Sequence, residues 1–272
     1  MKHPLPSFDA LVLRDKLLQA RVGERFEQHL RRLPPVTTAL VAACVVLHLA
    51  TGGVDWATGQ ANWAQAIVGQ RSAGTLLLFG AREHGMVASG EYWRLLSCIF
   101  LHGDGLHILL NGLALFGLGR LCEAVWGGLR MAAIFLFAGL CGSLLSQAGG
   151  TELSVGASGG VFGLLGAGVV FGLRAKDALP PGLRRVFGRG LAPWIVINLA
   201  IGLFVPRIDN LGHLGGLFGG VLIAPLLADR VLPGSQGYSW VDGFLGVGMG
   251  AVLAGTAAQV IRELLWVGAG IG

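Results

Sequence analysis

From Val36 onward the chain is a succession of apolar runs, each close to the roughly 20 residues a helix needs to cross about 30 Å of hydrocarbon. They fall near residues 36–52, 105–125, 130–149, 157–174, 191–206, 210–228 and 243–262. A backbone in lipid must satisfy its own polar groups, so runs of this length fold as helices packed on one another. The expected fold is all-α, a polytopic membrane helix bundle of about seven transmembrane helices. Composition agrees: 13% of the 272 residues are charged and 46 are glycine, whereas about a quarter of a soluble domain is charged. The net charge of +5 therefore matters by where it falls along the chain, and it points to no nucleic-acid partner.

Three regions follow. Residues 1–35 form a basic arm, 36–228 a six-span core in which 53–105 is a long membrane-associated first loop, and 229–272 a linker with an extra C-terminal transmembrane helix. In the arm, Leu11, Leu18, Val22, Phe26 and Leu30 recur at helical steps among Arg14, Lys16, Arg21, Arg25 and Arg31, and the pattern stops at Pro34-Pro35. That is an amphipathic helix, which either lies on an anionic membrane surface or extends as a solvated arm. Its charged region is too long for a signal peptide. Cys44, Cys98, Cys122 and Cys141 are scattered without metal-ligand spacing and read as small buried hydrophobes. No metal and no cofactor is expected.

Lys and Arg set the orientation. With the N-terminus inside, the inner segments hold the arm, Arg120, Arg130, Arg174, Lys176, Arg184, Arg185, Arg189 and Arg230. The outer ones hold only Arg71, Arg82, Arg94, Arg207 and Arg262. The positive-inside rule favours this assignment. The second, fourth and sixth spans then all start at one depth in the outer leaflet. Polar residues gather there: His107 and Asn111 on the second span, Ser158 on the fourth, Asn210 and His213 on the sixth. Polar groups at membrane depth are costly and tend to mark function.

Ser158 stands in Gly156-Ala157-Ser158-Gly159 at the start of a span, where free backbone N–H groups favour a developing negative charge. It is either a nucleophile or a small residue packing against a neighbouring helix. A serine nucleophile needs a base, and His213 is the candidate. Gly212, Gly216 and Gly220 recur every four residues, as do Gly215 and Gly219, opposite Gly159, Gly163 and Ala167. Such small faces let two helices approach closely and bring His213 to Ser158. Asp209 is a candidate orienting carboxylate, but it falls in the loop before the span. His107 and Asn111, one turn apart, share a helix face. They act with the Ser158 N–H as an oxyanion site, or else they hold the bundle together by interhelical hydrogen bonds.

Between Tyr92 and Ala228 these residues resemble the rhomboid intramembrane serine proteases. The resemblance rests on Trp93-Arg94, the run His102-Gly103-Asp104-Gly105-Leu106-His107-Ile108-Leu109-Leu110-Asn111, the Gly156-Ala157-Ser158-Gly159 box, and His213 with its glycine-rich surroundings. It implies a six-plus-one rhomboid-like bundle and a Ser158–His213 dyad. It also implies an oxyanion site of His107, Asn111 and the Ser158 backbone, a bracing first loop with Trp93 and Arg94, and structural roles for His102 and Glu123. The fifth span, with Pro193 and Trp194, resembles a lateral gate. Phe162 stands where many members carry a tyrosine against the catalytic histidine. The implied function is cleavage of transmembrane protein substrates near the outer leaflet through an acyl-enzyme. The other possibility is a rhomboid-like protein that binds membrane clients without cutting them. The implied setting is the lipid bilayer of a bacterial cytoplasmic membrane, with the N-terminus cytoplasmic. Substrate identity and oligomeric state are not set by these residues.

Overall fold

The computed structural model describes residues 8–235 and 239–268. The first seven residues of the arm, residues 236–238 of the linker and the last four residues of the expected C-terminal region lie outside the described residues. The chain is helical almost throughout. It opens with α1 (Phe8–Leu30) and α2 (Pro35–Ala57), followed in the first loop by four short helices, α3 (Trp63–Val68), α4 (Ala73–Leu78), α5 (His84–Ala88) and α6 (Arg94–Ser97). The long helices α7 (Gly105–Trp126), α8 (Gly128–Ala148) and α9 (Ser158–Arg174) come next. A short α10 (Pro181–Arg184) and a π-helical turn lead into α11 (Ala192–Phe204), α12 (Asn210–Ile223) and α13 (Ser239–Gly268). Among the described residues, five helical stretches are long and apolar enough to cross a membrane, while the helices at 158–174 and 210–226 are apolar but shorter.

The arm is neither free nor laid flat away from the body. Val22 and Phe26 are buried, and Phe26 meets Phe187 edge-on at 5.9 Å between ring centroids. The Gln19 amide donates to the Asp177 carbonyl at 3.1 Å. Val22 and Phe26 of the apolar stripe therefore lie against the segment between α9 and α11. At the start of α2, Pro35 occupies the first turn, and the next N–H groups are satisfied by Glu123. That carboxylate accepts from Val36 N at 3.2 Å, Thr37 N at 2.8 Å and Thr37 Oγ1 at 2.6 Å. Capping a helix N-terminus with an anion satisfies both its free donors and its dipole.

The first loop is wound into short helices rather than left irregular, and buried cations close its turns. Arg71 donates to the carbonyls of Gln65 and Gly69 at 3.1 Å each and of Ala66 at 2.8 Å. Arg94 stacks over Trp93 at 4.6 Å and donates to the Ala81 carbonyl at 3.2 Å. A two-residue strand β1 (Arg82–Glu83) pairs antiparallel with β2 (Leu153–Ser154), Arg82 opposite Ser154. This ties the loop to the segment that leads into Ser158.

The centre of the bundle is α12, packed against α8 on one side and α9 on the other. Its two glycine rows divide the work. A Cβ at Gly220 would lie 2.6 Å from the Gly163 carbonyl carbon of α9, and one at Gly216 would lie 2.7 Å from that of Gly159. A Cβ at Gly215 would lie 2.6 Å from the Cys141 carbonyl oxygen of α8, and one at Gly219 would lie 2.9 Å from the Cys141 Cβ. Backbone meets backbone, as small-residue faces permit in a membrane.

A Gly216→Ala substitution forces a methyl into backbone that cannot step aside, an overpacking cost of about 1–3 kcal/mol. The expected result is a thermal midpoint lowered by several degrees in detergent. Gly112→Ala, at a position with open space around it, leaves the midpoint unchanged or slightly raised. Thermal unfolding of the two variants side by side checks this.

Candidate active site

The candidate site begins where α9 begins. Gly156 has φ +132, in the region that favours glycine, and its N–H donates to the Cys98 carbonyl at 2.9 Å. Ala157 caps the helix without a side-chain hydrogen bond. Val161 N is the first to find a helical acceptor, the Ala157 carbonyl at 3.0 Å. Among the described residues the N–H groups of Ser158, Gly159 and Gly160 have no backbone acceptor. Three donors therefore sit free around a half-buried hydroxyl, an arrangement suited to anionic oxygen.

His107 is held beside them. Asp104 caps α7 by accepting from His107 N at 2.8 Å. The Gly103 N–H makes a long hydrogen bond, 3.4 Å, to His107 Nδ1. A backbone N–H can only donate, so Nδ1 is the acceptor and the ring proton lies on Nε2. The space where a Gly156 side chain would begin has His107 Nε2 at 2.8 Å and Ser158 Oγ at 3.8 Å. Glycine at 156 thus leaves one small space bordered by a ring N–H, the serine oxygen and the free turn of α9.

His102 supports the same segment. Its Nε2 accepts a long, 3.5 Å hydrogen bond from Ala157 N, and its ring meets His107 edge-on at 5.1 Å. Burial, with the neighbouring His107 and His48 adding to it, pushes the His102 imidazole down to about 3, so it is neutral and able to accept. Asn111 turns one N–H of its amide back onto the His107 carbonyl at 3.1 Å, leaving the other free. Asn210 opens α12 and ties it to α11 through the Leu199 carbonyl at 3.1 Å.

His213 is buried and lies flat on Phe162, with ring centroids 4.3 Å apart and planes 13° from parallel. Phe162 is one turn after Ser158 on the same face of α9. The stack brings His213 to the helix that carries Ser158, but among the described residues no hydrogen bond joins the Ser158 hydroxyl to the imidazole. Asp209 is engaged elsewhere. It caps α12 by accepting from Gly212 N at 2.9 Å, and it also accepts from the hydroxyls of Ser154, at 2.6 Å, and Ser146. His213 Nδ1 is buried with no partner.

The structure therefore gathers Gly156, Ser158, Gly159, His107 and His102 around one end of α9, with Phe162 and His213 one turn deeper. Asn111 stands a turn further along α7, while Trp93 and Arg94 act at a distance by bracing the loop. Gly103 and Asp104 are part of the run that carries the resemblance but have no role of their own in it; they set the tautomer and position of His107, and an Asp just before an apolar run is a helix-start signal that would have found the second. In the sequence Arg71 and Arg82 count only for orientation; Arg71 closes turns of its own loop, and Arg82 reaches Gln147 and the Thr151 carbonyl far along the chain, which leaves no local pattern. Among the described residues no group of three or more His, Cys, Asp or Glu is arranged to hold a metal ion.

Comparison with known proteins bears on the same region. A family model described as the Rhomboid domain matches residues 89–230. Rhomboid protease GluP from Bacillus subtilis (strain 168) is 40% identical over 159 residues, covering 58% of this chain and 31% of that protein. RHOMBOID-like protein 5 of Arabidopsis thaliana is 40% identical over 159 residues, covering 57% of this chain and 50% of that protein. Rhomboid protease AarA of Providencia stuartii is 30% identical over 171 residues, covering 55% of this chain and 60% of that protein. The chain thus spans less than two thirds of the length of these relatives. The matched domain takes in more than half of the chain, and every residue gathered around α9, with the apolar helices that hold them: this integral membrane protein belongs to the rhomboid family.

Proposed function

We propose that this chain is an intramembrane serine endopeptidase that cuts transmembrane helices of other membrane proteins near the outer leaflet, with Ser158 as nucleophile and His213 as general base. The observation that carries the reading is the meeting, at the first turn of α9, of a glycine-flanked hydroxyl, three free N–H groups and the His107 ring N–H. His213 is stacked one turn away. The names of two bacterial relatives, both rhomboid proteases, support the same class of chemistry.

In this mechanism Ser158 Oγ attacks the carbonyl carbon of an unwound substrate peptide as His213 takes its proton. The new C–O bond places negative charge on the former carbonyl oxygen, which the Ser158 N–H, the His107 Nε2–H and the free Asn111 N–H stabilise. His213 then gives the proton to the leaving amine, the C–N bond breaks and an acyl-enzyme remains. Water, deprotonated by His213, hydrolyses the ester and restores Ser158. Proton transfer needs the serine oxygen within about 3 Å of the imidazole, and such bonds often tighten only when substrate is bound. The cytoplasmic placement of the N-terminus in a bacterial cytoplasmic membrane belongs to the same proposal and rests on the charge distribution.

The missing Ser158–His213 hydrogen bond favours a second reading, a client-binding protein that holds transmembrane helices without cutting them. The two separate in one assay. Purified protein in detergent, given a model transmembrane substrate with small residues and a helix breaker near its outer end, is expected to cleave it. Ser158→Ala and His213→Ala each lower the rate ~10³-fold or more while staying folded. Binding by the wild type without cleavage, on several such substrates, would move the second reading to the front.

The occupied state of Asp209 generates a further expectation. A carboxylate that orients a catalytic histidine costs about 10⁴-fold when changed to its amide. Asp209→Asn is expected to keep activity within about tenfold of wild type while lowering thermal stability, because what it loses is hydrogen bonding to Ser146 and Ser154. Rates and melting curves of the same preparation check both halves.

A further inference from the structure

The two cavities described, of about 410 and about 390 Å³, lie at the other end of the bundle from Ser158. The second is lined by charges of both signs, Arg174 and Asp229. The first is different. It opens where α1 gives way to α2 and α7 to α8, and its wall carries His29, Arg32, Arg120 and Arg230. These come from three separate stretches of chain. The one carboxylate on the wall is Glu123, and both of its oxygens are taken by the start of α2. Among the described residues no salt bridge involves Arg32, Arg120 or Arg230, while the neighbouring Arg31 pairs with Glu27.

Two of the arginines are fixed in place. Arg120 donates through Nε and Nη2 to the Leu30 carbonyl at 3.2 and 2.8 Å. Arg230 is anchored by its own N–H on the Val125 carbonyl at 2.7 Å. Its guanidinium lies against Gly127, where a side chain would collide with it. Gly127 has a φ of +80 and leaves α8 without a side-chain cap, and Gly128 and Leu129, in the first turn of α8, line the same cavity. The field is positive enough to act on His29: burial, then Arg230, then Arg32, push its imidazole below the ordinary value. Like charges held together repel, and an anion between them relieves that repulsion with charge-assisted hydrogen bonds.

We propose that this cavity binds the phosphate of an anionic membrane lipid, with Arg32 and Arg230 as its ligands. A phosphate could equally be inorganic, but the surroundings favour a lipid. The cavity sits at the ends of membrane-crossing helices, the depth of lipid headgroups. Leu33 and Leu129 stand on its wall 74% and 41% exposed, where the first carbons of acyl chains would cover them. The bound lipid joins the arm, the α7–α8 turn and the segment after α12 at a point where the one carboxylate on the wall, Glu123, is already taken by the start of α2.

The test uses the full chain in neutral detergent, titrated with fluorescently labelled phosphatidylglycerol in mixed micelles, with phosphatidylcholine and inorganic phosphate as competitors. Wild type is expected to bind the labelled lipid saturably. The pair Arg32→Gln/Arg230→Gln binds at least about tenfold more weakly, and Arg32→Lys/Arg230→Lys retains binding. A charge-matched control, Arg21→Gln/Arg25→Gln on the exposed face of α1, binds like wild type. Melting curves without lipid verify folding, and if the double glutamine variant does not fold, the two single variants carry the comparison. Equal loss in the control would overturn the proposal in favour of diffuse surface charge. Unchanged binding in the Arg32/Arg230 variants would overturn it outright. Displacement by millimolar inorganic phosphate would reassign the site to a soluble anion.

Discussion

The rest of the structure depends on how closely α12 approaches its two neighbours. In lipid there is no hydrophobic force between helices, so association comes from packing and polar contacts. Here the packing is main chain against main chain. Gly216 and Gly220 rest on Gly159 and Gly163 of α9, and Gly215 and Gly219 rest on α8. A single row of side chains on either face would hold the axes several ångströms further apart. His213 would then leave Phe162, and with it the helix that carries Ser158.

The same helices are short, and this matters for the chemistry. At 1.5 Å per residue, α9 is about 25 Å long and α12 about 21 Å, less than the hydrocarbon they occupy. A helix shorter than the membrane begins or ends below a surface. One that begins there leaves its first N–H groups, which water would satisfy at the interface, at depth, where an unsatisfied donor is costly unless something polar reaches it. His102 and the Cys98 carbonyl hold the approach to α9, and the three donors that follow are kept free. The first loop contributes by bracing: Arg71, Arg82 and Arg94 bind carbonyls of their own neighbourhood and of the 147–154 segment. In the proposed mechanism, helix length and loop support together would place an anion-stabilising turn below the surface.

Much of this was legible in the sequence, because its causes are local or periodic. Apolar runs gave the helices, glycine spacing gave the close approach of α12 to α9 though not the turn of Gly215 and Gly219 to α8, and the shared polarity of three span starts singled out Ser158, His213, His107, Asn111 and Asn210. Phe162 beside His213 came from a resemblance and is a direct stack in the structure. What could not be read has non-local causes. The first loop looked irregular because its helices have only four to six residues and are held by buried arginines. The arm showed a hydrophobic stripe but not its destination, which depends on Phe187 far along the chain. Asp209 stood close enough in sequence to invite a triad, and only the placement of Ser146 and Ser154 shows that it is engaged elsewhere.

The central claim is that Ser158 is activated by His213, and reaction with a fluorophosphonate, followed by mass spectrometry of the peptide containing residue 158, tests it most directly. A single phosphonyl adduct on Ser158 is expected in the wild type, and none on His213→Ala protein that melts as the wild type does. Adduct on His213→Ala at the wild-type rate, or modification of the wild type only at other residues, would contradict it.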